Sequence, residues 1–255
     1  MTISKSNSTP IRLYRFCRLF FHFFTGLATT GLLFPFYSQQ RRDQAIVRWA
    51  RKLLAILHVR VEVRGNIALP DTTGCIIAAN HISWLDIFLI HTIRPARFVA
   101  KSEIRDWPVV GWLCAKTGTL FIERARRHHT AKINETMRDV VQEGGTVGLF
   151  PEGSTSLGDQ LKKLHSSLFQ AAVQSDVPLI PAAIRYTDMQ NRRSEIPAYV
   201  DDMSLAKSLS QILAAPALCA TLYFAAPIFP NGKNRRELTQ ETEDAITSLL
   251  HSRSD

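Results

Sequence analysis

No pair of cysteines is spaced for a metal site or a disulfide framework. Cys17, Cys75, Cys114 and Cys219 lie far apart and form no C-x-x-C. Reduced, buried or lipid-facing thiols in a domain on the cytoplasmic side fit this usage. Nor does the chain carry a G-x-S-x-G nucleophile elbow or a G-K-[ST] phosphate loop. Zinc-finger spacing, RNA-binding aromatic runs and long Lys/Arg arms are also missing, so nucleic acid is not an expected partner. Acidic residues are scarce: 22 Asp and Glu against 31 Lys and Arg leave a net charge of +9. An excess of that sign favours an anionic partner. The basic residues gather beside one apolar segment and one motif, which points to lipid.

That apolar segment is a long stretch without charge. From Leu19 to Gln40 there is no Asp, Glu, Lys or Arg, and four phenylalanines fall within Phe20–Phe24. Arg12, Arg15 and Arg18 precede it; Arg41 and Arg42 follow. About 20 apolar residues are needed to span a bilayer, and this run, with His22, several Thr and Pro35, barely reaches that length. A spanning helix, a monotopic helix or helix pair in one leaflet, and a cleaved signal peptide are the competing readings. No A-x-A-type cleavage site follows the run, and arginines on both flanks suit a segment that enters and leaves by one face. Attachment to the cytoplasmic face is the reading adopted.

The remaining 197 residues, 59–255, alternate strand and helix signals, an α/β pattern around a sheet with flanking helices. Asp43 to His58 has helical spacing with Arg48, Arg51 and Lys52 off the apolar face, and residues 1–58 are taken as an N-terminal membrane-anchoring segment. Val59–Arg64 alternates strictly and reads as a half-exposed strand. Short apolar strands are expected at Cys75–Ala79, Arg97–Ala100, Thr119–Ile122, Thr146–Phe150, Leu179–Tyr186 and Ala220–Ala225. Helices are expected at Trp84–His91, Thr130–Glu143, Leu164–Gln174 and Arg235–His251, while Leu205–Ala217 resists assignment.

Three segments carry chemistry. His81 follows the buried strand Cys75–Ala79 directly, and ligands in open α/β sheets sit beyond the carboxyl ends of strands. Asp86, five residues on, falls about one turn into a helix starting near Ser83, from where its carboxylate can reach back to the imidazole. Such a contact leaves Nε2 free as a base. By itself an H-x4-D pair also occurs by chance. Phe150-Pro-Glu-Gly-Ser-Thr-Ser156 leaves another buried strand through a tight turn that can present N–H groups to an anion, or is a plain surface turn. Gly118-Thr-Leu-Phe-Ile-Glu-Arg124, followed by Arg126 and Arg127, puts guanidinium groups at a strand end, suited to phosphate or simply solvated.

In combination the segments resemble the glycerolipid acyltransferase family, whose bacterial archetype is 1-acyl-glycerol-3-phosphate acyltransferase. Its N-H-x-S-x-x-D block is matched by Asn80, His81, Ser83 and Asp86. Its second block, K-x-E-[LI], P-x-x-G, then G-x-x-F-I-x-R, is matched by Lys101, Glu103, Ile104, Pro108, Gly111, Gly118, Ile122 and Arg124. F-P-E-G-[ST] is matched by Phe150 to Ser154, and V-P-x-x-P by Val177, Pro178 and Pro181. The four blocks stand in order over Val59 to Tyr186. The resemblance implies acyl transfer from acyl-CoA or acyl carrier protein to a lysolipid hydroxyl at the inner membrane, with no metal or cofactor. His81 would be the general base and Asp86 its orienting partner. Lys101, Arg124, Glu152, Gly153, Ser154 and Thr155 would bind substrate, with backbone N–H groups near Glu152–Ser154 on the oxyanion. One departure matters. Members acting on simple lysophosphatidic acid often carry Arg where this chain has Thr155. A branch acylating lyso-ornithine lipid often has Thr or Ser there and is similar in the stretch matching Ser166-Ser167-Leu168. That branch is the alternative; a non-catalytic lipid-binding protein is a distant one.

Overall fold

Seven strands form one mixed sheet in a computed structural model that describes residues 7–65, 73–122 and 127–251, with side chains from residue 131 onward in the last stretch. The strands are β1 (Val59–Arg64), β2 (Cys75–Ala79), β3 (Arg97–Lys101), β4 (Leu120–Ile122), β5 (Thr146–Leu149), β6 (Leu179–Thr187) and β7 (Leu218–Phe224). Their order is β1-β7-β6-β2-β5-β3-β4. From β6 to β4 every pairing is parallel; β7 runs antiparallel to β6, and β1 parallel to β7. β2, the Val147–Leu149 part of β5 and the Leu179–Ile184 part of β6 are continuous apolar runs because they are covered on both faces.

The helices are α1 (Thr9–Ala28), α2 (Gln39–Ile56), α3 (Leu85–Ile93), α4 (Val110–Lys116), α5 (Arg127–Gln142), α6 (Gln170–Ser175), α7 (Leu205–Ala214) and α8 (Arg235–His251). Two cores separate them into layers. Leu54 of α2, Leu89 of α3 and Ile212 of α7 pack with Ile77, Ile180 and Leu222 on one face. Met137 of α5, Ala171 of α6 and Ile246 of α8 pack with Ile76, Val147 and Leu179 on the other.

Packing does not break at residue 58. Ala50, Leu53, Leu54, Ile56 and Leu57 are buried, so α2 is a wall of the globular core rather than part of an appended anchor. The first helix also starts ten residues before the uncharged run and includes Arg12, Arg15 and Arg18. Arg15 is buried there, its guanidinium donating to the carbonyls of Leu213, Ala215 (2.8 Å) and Pro216 (3.0 Å). A turn of π-helix at Thr29–Leu33 and a 3-10 turn at Phe34–Phe36 reverse the chain into α2. His22 and Trp49 stack across the resulting hairpin, 4.7 Å between centroids, and each ring N–H region meets the other's carbonyl.

The polarity of α1 is inverted. Arg15 and His22 face the protein, while Leu13, Tyr14, Phe16, Phe20, Phe21 and Phe24 are exposed. Thr9–Phe36 is long and apolar enough to cross a membrane, yet one side is fastened to α2 and α7. A segment bonded to the globular domain along its length fits a membrane-surface hairpin, as its two basic flanks do.

Candidate active site

His81 stands just beyond the carboxyl end of β2 because Asn80 extends the sheet by one side chain. The Asn80 amide donates to the Ile184 carbonyl (3.1 Å) and accepts from the Ile184 N–H (2.7 Å), copying a strand pairing. The next peptide is clamped from three sides. The His81 N–H donates to Glu152 Oε1 (2.7 Å), and its carbonyl accepts from the Ser156 N–H (2.8 Å) and hydroxyl (3.3 Å). The chain then turns into α3, whose first turn contains Asp86.

Asp86 is fully buried, and four donors converge on it. His81 Nδ1 donates to Oδ2 (2.8 Å), as do the N–H groups of Ile82 (2.7 Å) and Ser83 (2.9 Å); the Tyr186 hydroxyl donates to Oδ1 (2.7 Å). A carboxylate only accepts, so the proton of the neutral imidazole sits on Nδ1 and Nε2 carries the lone pair. Burial, and then the charge of Asp86, push the Tyr186 hydroxyl well above its ordinary pKa, which keeps it a neutral donor. The imidazole lies flat on Phe150, 4.0 Å between centroids at 8°, and Phe98 stacks behind Phe150 at 5.5 Å. The ring is thus held by one hydrogen bond and one aromatic face, and an imidazolium formed there gains from the π-cloud.

Glu152 takes a different place from the one expected of it. It is buried, with Oε1 on the His81 N–H and Oε2 on the Lys162 N–H (3.0 Å). Burial raises its pKa and the two N–H bonds oppose that rise. Its carboxylate ties the His81 loop to the following loop from behind, rather than facing outward to a headgroup. Gly153 has φ of 75°, which the turn requires, and its N–H donates to the Phe150 carbonyl (3.0 Å), so that amide is withdrawn from the expected oxyanion set. The Thr155 hydroxyl donates to the Tyr199 carbonyl. Ser154 is exposed and its hydroxyl accepts from Lys162 Nζ at 3.2 Å; the same ammonium donates to the Thr155 carbonyl at 2.7 Å.

Lys101, exposed, ends β3 on the same edge of the sheet, in register with Ile122 at the end of β4. Arg124, two residues further, lies outside the described residues. Two members of the site carry no motif signal. Tyr186 sits 100 residues from Asp86, and its one hint is a hydroxyl in a buried strand, where burial demands a partner. Lys162 could have been suspected only as a cation near F-P-E-G. Among the described residues, no three His, Cys, Asp or Glu side chains are grouped to hold a metal ion.

A histidine oriented by a buried carboxylate at the carboxyl edge of a mixed α/β sheet has the geometry suited to general-base chemistry. Comparison with known proteins specifies the class. Residues 60–185 match the Acyltransferase family. The chain is 33% identical to the 1-acyl-sn-glycerol-3-phosphate acyltransferase of Neisseria meningitidis over 246 residues, 96% of this chain and 95% of that one. It is 32% identical to the lyso-ornithine lipid O-acyltransferase of Pseudomonas aeruginosa, covering 79% and 76%. The crystal structure of the 1-acyl-sn-glycerophosphate acyltransferase PlsC from Thermotoga maritima shares the fold, with a TM-score of 0.69 at 20% identity over 96% of this chain and 100% of that one. The chain belongs to the glycerolipid acyltransferase family and is an acyltransferase.

Proposed function

We propose that this acyltransferase moves a fatty acyl group from acyl-CoA or acyl carrier protein to the free hydroxyl of 1-acyl-glycerol-3-phosphate, giving phosphatidic acid, at the cytoplasmic face of the inner membrane. The observation that carries the chemistry is the His81 Nδ1–Asp86 Oδ2 bond of 2.8 Å, which turns Nε2 toward substrate as a base. Nε2 takes the hydroxyl proton as the oxygen attacks the thioester carbonyl. The new C–O bond forms, the C–S bond breaks, and the imidazolium returns its proton to the leaving thiolate. No covalent enzyme intermediate is needed. Lys101, Arg124 and Ser154 are assigned to the acceptor headgroup. Support for this acceptor comes from the Neisseria relative, similar along nearly its whole length.

A second reading, lyso-ornithine lipid as acceptor, is favoured by position 155. A threonine hydroxyl committed to the Tyr199 carbonyl supplies no cation for a phosphate. The deciding experiment is an acceptor panel with purified, detergent-solubilised protein, following thiol release from acyl-CoA and acyl carrier protein. Preferred transfer to 1-acyl-glycerol-3-phosphate is expected. Transfer confined to lyso-ornithine lipid would install the second reading, and transfer to no lysolipid would sink both.

A further inference from the structure

The apolar hairpin is not the sole exposed apolar surface. The segment after β3 passes through a 3-10 turn (Ser102–Asp106) into Trp107, Pro108 and Val109, and then α4. Trp107 is 44% exposed, Val109 46% and Trp112, on the first turns of α4, 39%. Large apolar groups at that density on a short lip need an occupant. Val109 adds a second oddity: a β-branched residue at φ 64°, ψ −49°. Only glycine adopts that conformation readily, so the backbone holds strain in order to present an isopropyl group outward.

What lies beside the lip names the occupant. A Cβ placed on Gly31 would come within 3.5 Å of Trp112 Cη2, so the apex of the α1–α2 hairpin is in contact with α4. Next to Gly31, Leu32 and Leu33 are exposed, and Phe36 is 84% exposed. The lip therefore continues the apolar surface of the hairpin. Exposed cations border it on both elements: Arg41 at the start of α2, Lys101 and Arg105 before the lip, and Lys116 at the end of α4. Indole rings beside cations, at the margin of an apolar surface, match the headgroup level of a phospholipid bilayer. A second protein would have to cover hairpin and lip together, an outcome the test below also detects.

From this we infer that the 107–112 lip is a second membrane-insertion element, seated in the same leaflet as the hairpin apex. This rests on the membrane-surface reading of the hairpin and goes beyond it. A hairpin alone lets the hairpin and domain roll together about its axis on the bilayer, whereas two contacts fix their orientation. The second contact is only six residues from Lys101, so it brings the carboxyl edge of β3 and β4, where the acceptor headgroup is assigned, down to the bilayer surface. An acceptor could then reach the site without leaving the membrane.

The test is quenching of tryptophan emission in vesicles of phosphatidylethanolamine and phosphatidylglycerol with brominated acyl chains, using the full-length protein. Trp107→Phe is expected to lose about half of the quenchable emission, and Trp112→Phe a similar share, as for two indoles at headgroup depth. Trp84→Phe should leave it intact, because Trp84 is half-buried and bonded to Ser208. Val109→Gly relieves the strained φ, so it should fold at least as well as the parent while weakening the quenching of its neighbours. Unchanged quenching in both Trp107→Phe and Trp112→Phe, with the protein still on the vesicles, overturns the inference alone. Protein left in the supernatant overturns the membrane reading beneath it. Protection of these tryptophans from bromine together with cross-linked dimers would reassign the surface to a second copy of the chain.

Discussion

Replacing Asp86 by asparagine isolates the charge of the dyad from its geometry. In the structure Oδ2 accepts three hydrogen bonds and Oδ1 one, from Tyr186. An asparagine can keep its carbonyl at the Oδ2 position, still accepting from His81 Nδ1 and the N–H groups of Ile82 and Ser83. Its NH2 then faces the Tyr186 oxygen, which can rotate its proton away and accept. The loop and the tautomer survive, and only the negative charge goes. That charge matters once the imidazolium forms, with its centre about 4 Å from the carboxylate. At an effective dielectric of about 20 the attraction is about 4 kcal/mol. Loss of that interaction slows proton abstraction about 10³-fold. Thiol release from acyl-CoA in the presence of saturating lysolipid measures it, with far-ultraviolet circular dichroism to verify folding. A folded Asp86→Asn protein retaining kcat/KM within tenfold of the parent would refute an orienting and charge-stabilising carboxylate. His81→Ala should be at least as impaired; residual turnover near the parent's would remove the general base from the mechanism.

Three further outcomes follow from neighbouring contacts. Tyr186→Phe strips one donor from a buried carboxylate and should lower kcat about 10- to 100-fold with KM nearly unchanged, read from initial rates. Gly148→Ala would place a methyl 2.3 Å from Phe98 Cε1, so Phe98 must tilt and take Phe150 and the His81 ring with it. A loss of about 1–3 kcal/mol in urea melts, with a lower kcat, is expected, and an unchanged kcat would argue against the aromatic stack as support for the imidazole. His91 is buried against Phe98, and burial lowers its pKa from 6.5 to about 4. A depressed folded-state pKa gives stability that is complete above pH 6.5 and lost as pH falls towards 4, because the unfolded chain takes up the proton first. That window holds about 3 kcal/mol. Urea melts at pH 7 and pH 4.5 should differ by much of it, and His91→Phe should flatten the dependence; parallel pH profiles would contradict it.

The strands were the most legible part of the sequence. C-I-I-A-A carries its burial in its pattern and lies where expected, as does the strand leading to Glu152; V-R-V-E-V-R is a strand as expected, but its alternation does not set its burial, since Val63 is exposed. The helices were less legible. Leu205–Ala214 is a regular amphipathic helix capped by Ser204, whose periodicity was present in the sequence although no element was assigned there. No element was assigned to Val110–Lys116, whose seven residues are too few to show a helical period; Gly111 is there because a side chain would strike the Arg105 carbonyl. The helical start at Thr9 was hidden by three arginines, which read as a flank because nothing local reveals that Arg15 will find three carbonyls some 200 residues away. In the site the contrast is similar. His81 and Asp86 are close in sequence, so their meeting followed from one helical turn. Glu152 was recognisable as important, but its task, holding the His81 peptide, is visible only when the two loops are brought together.

The Asn80–Ile184 and Asp86–Tyr186 pairs also set a timetable. Each joins residues about a hundred positions apart, 104 and 100 respectively. Synthesis proceeds at roughly 5–20 residues per second, so His81 leaves the ribosome roughly 5–20 s before β6 can complete its surroundings. During that interval the hairpin is already available to the bilayer while the dyad lacks both its sheet extension and its tyrosine. On the proposed membrane reading, the hairpin meets lipid before the site is able to use lipid.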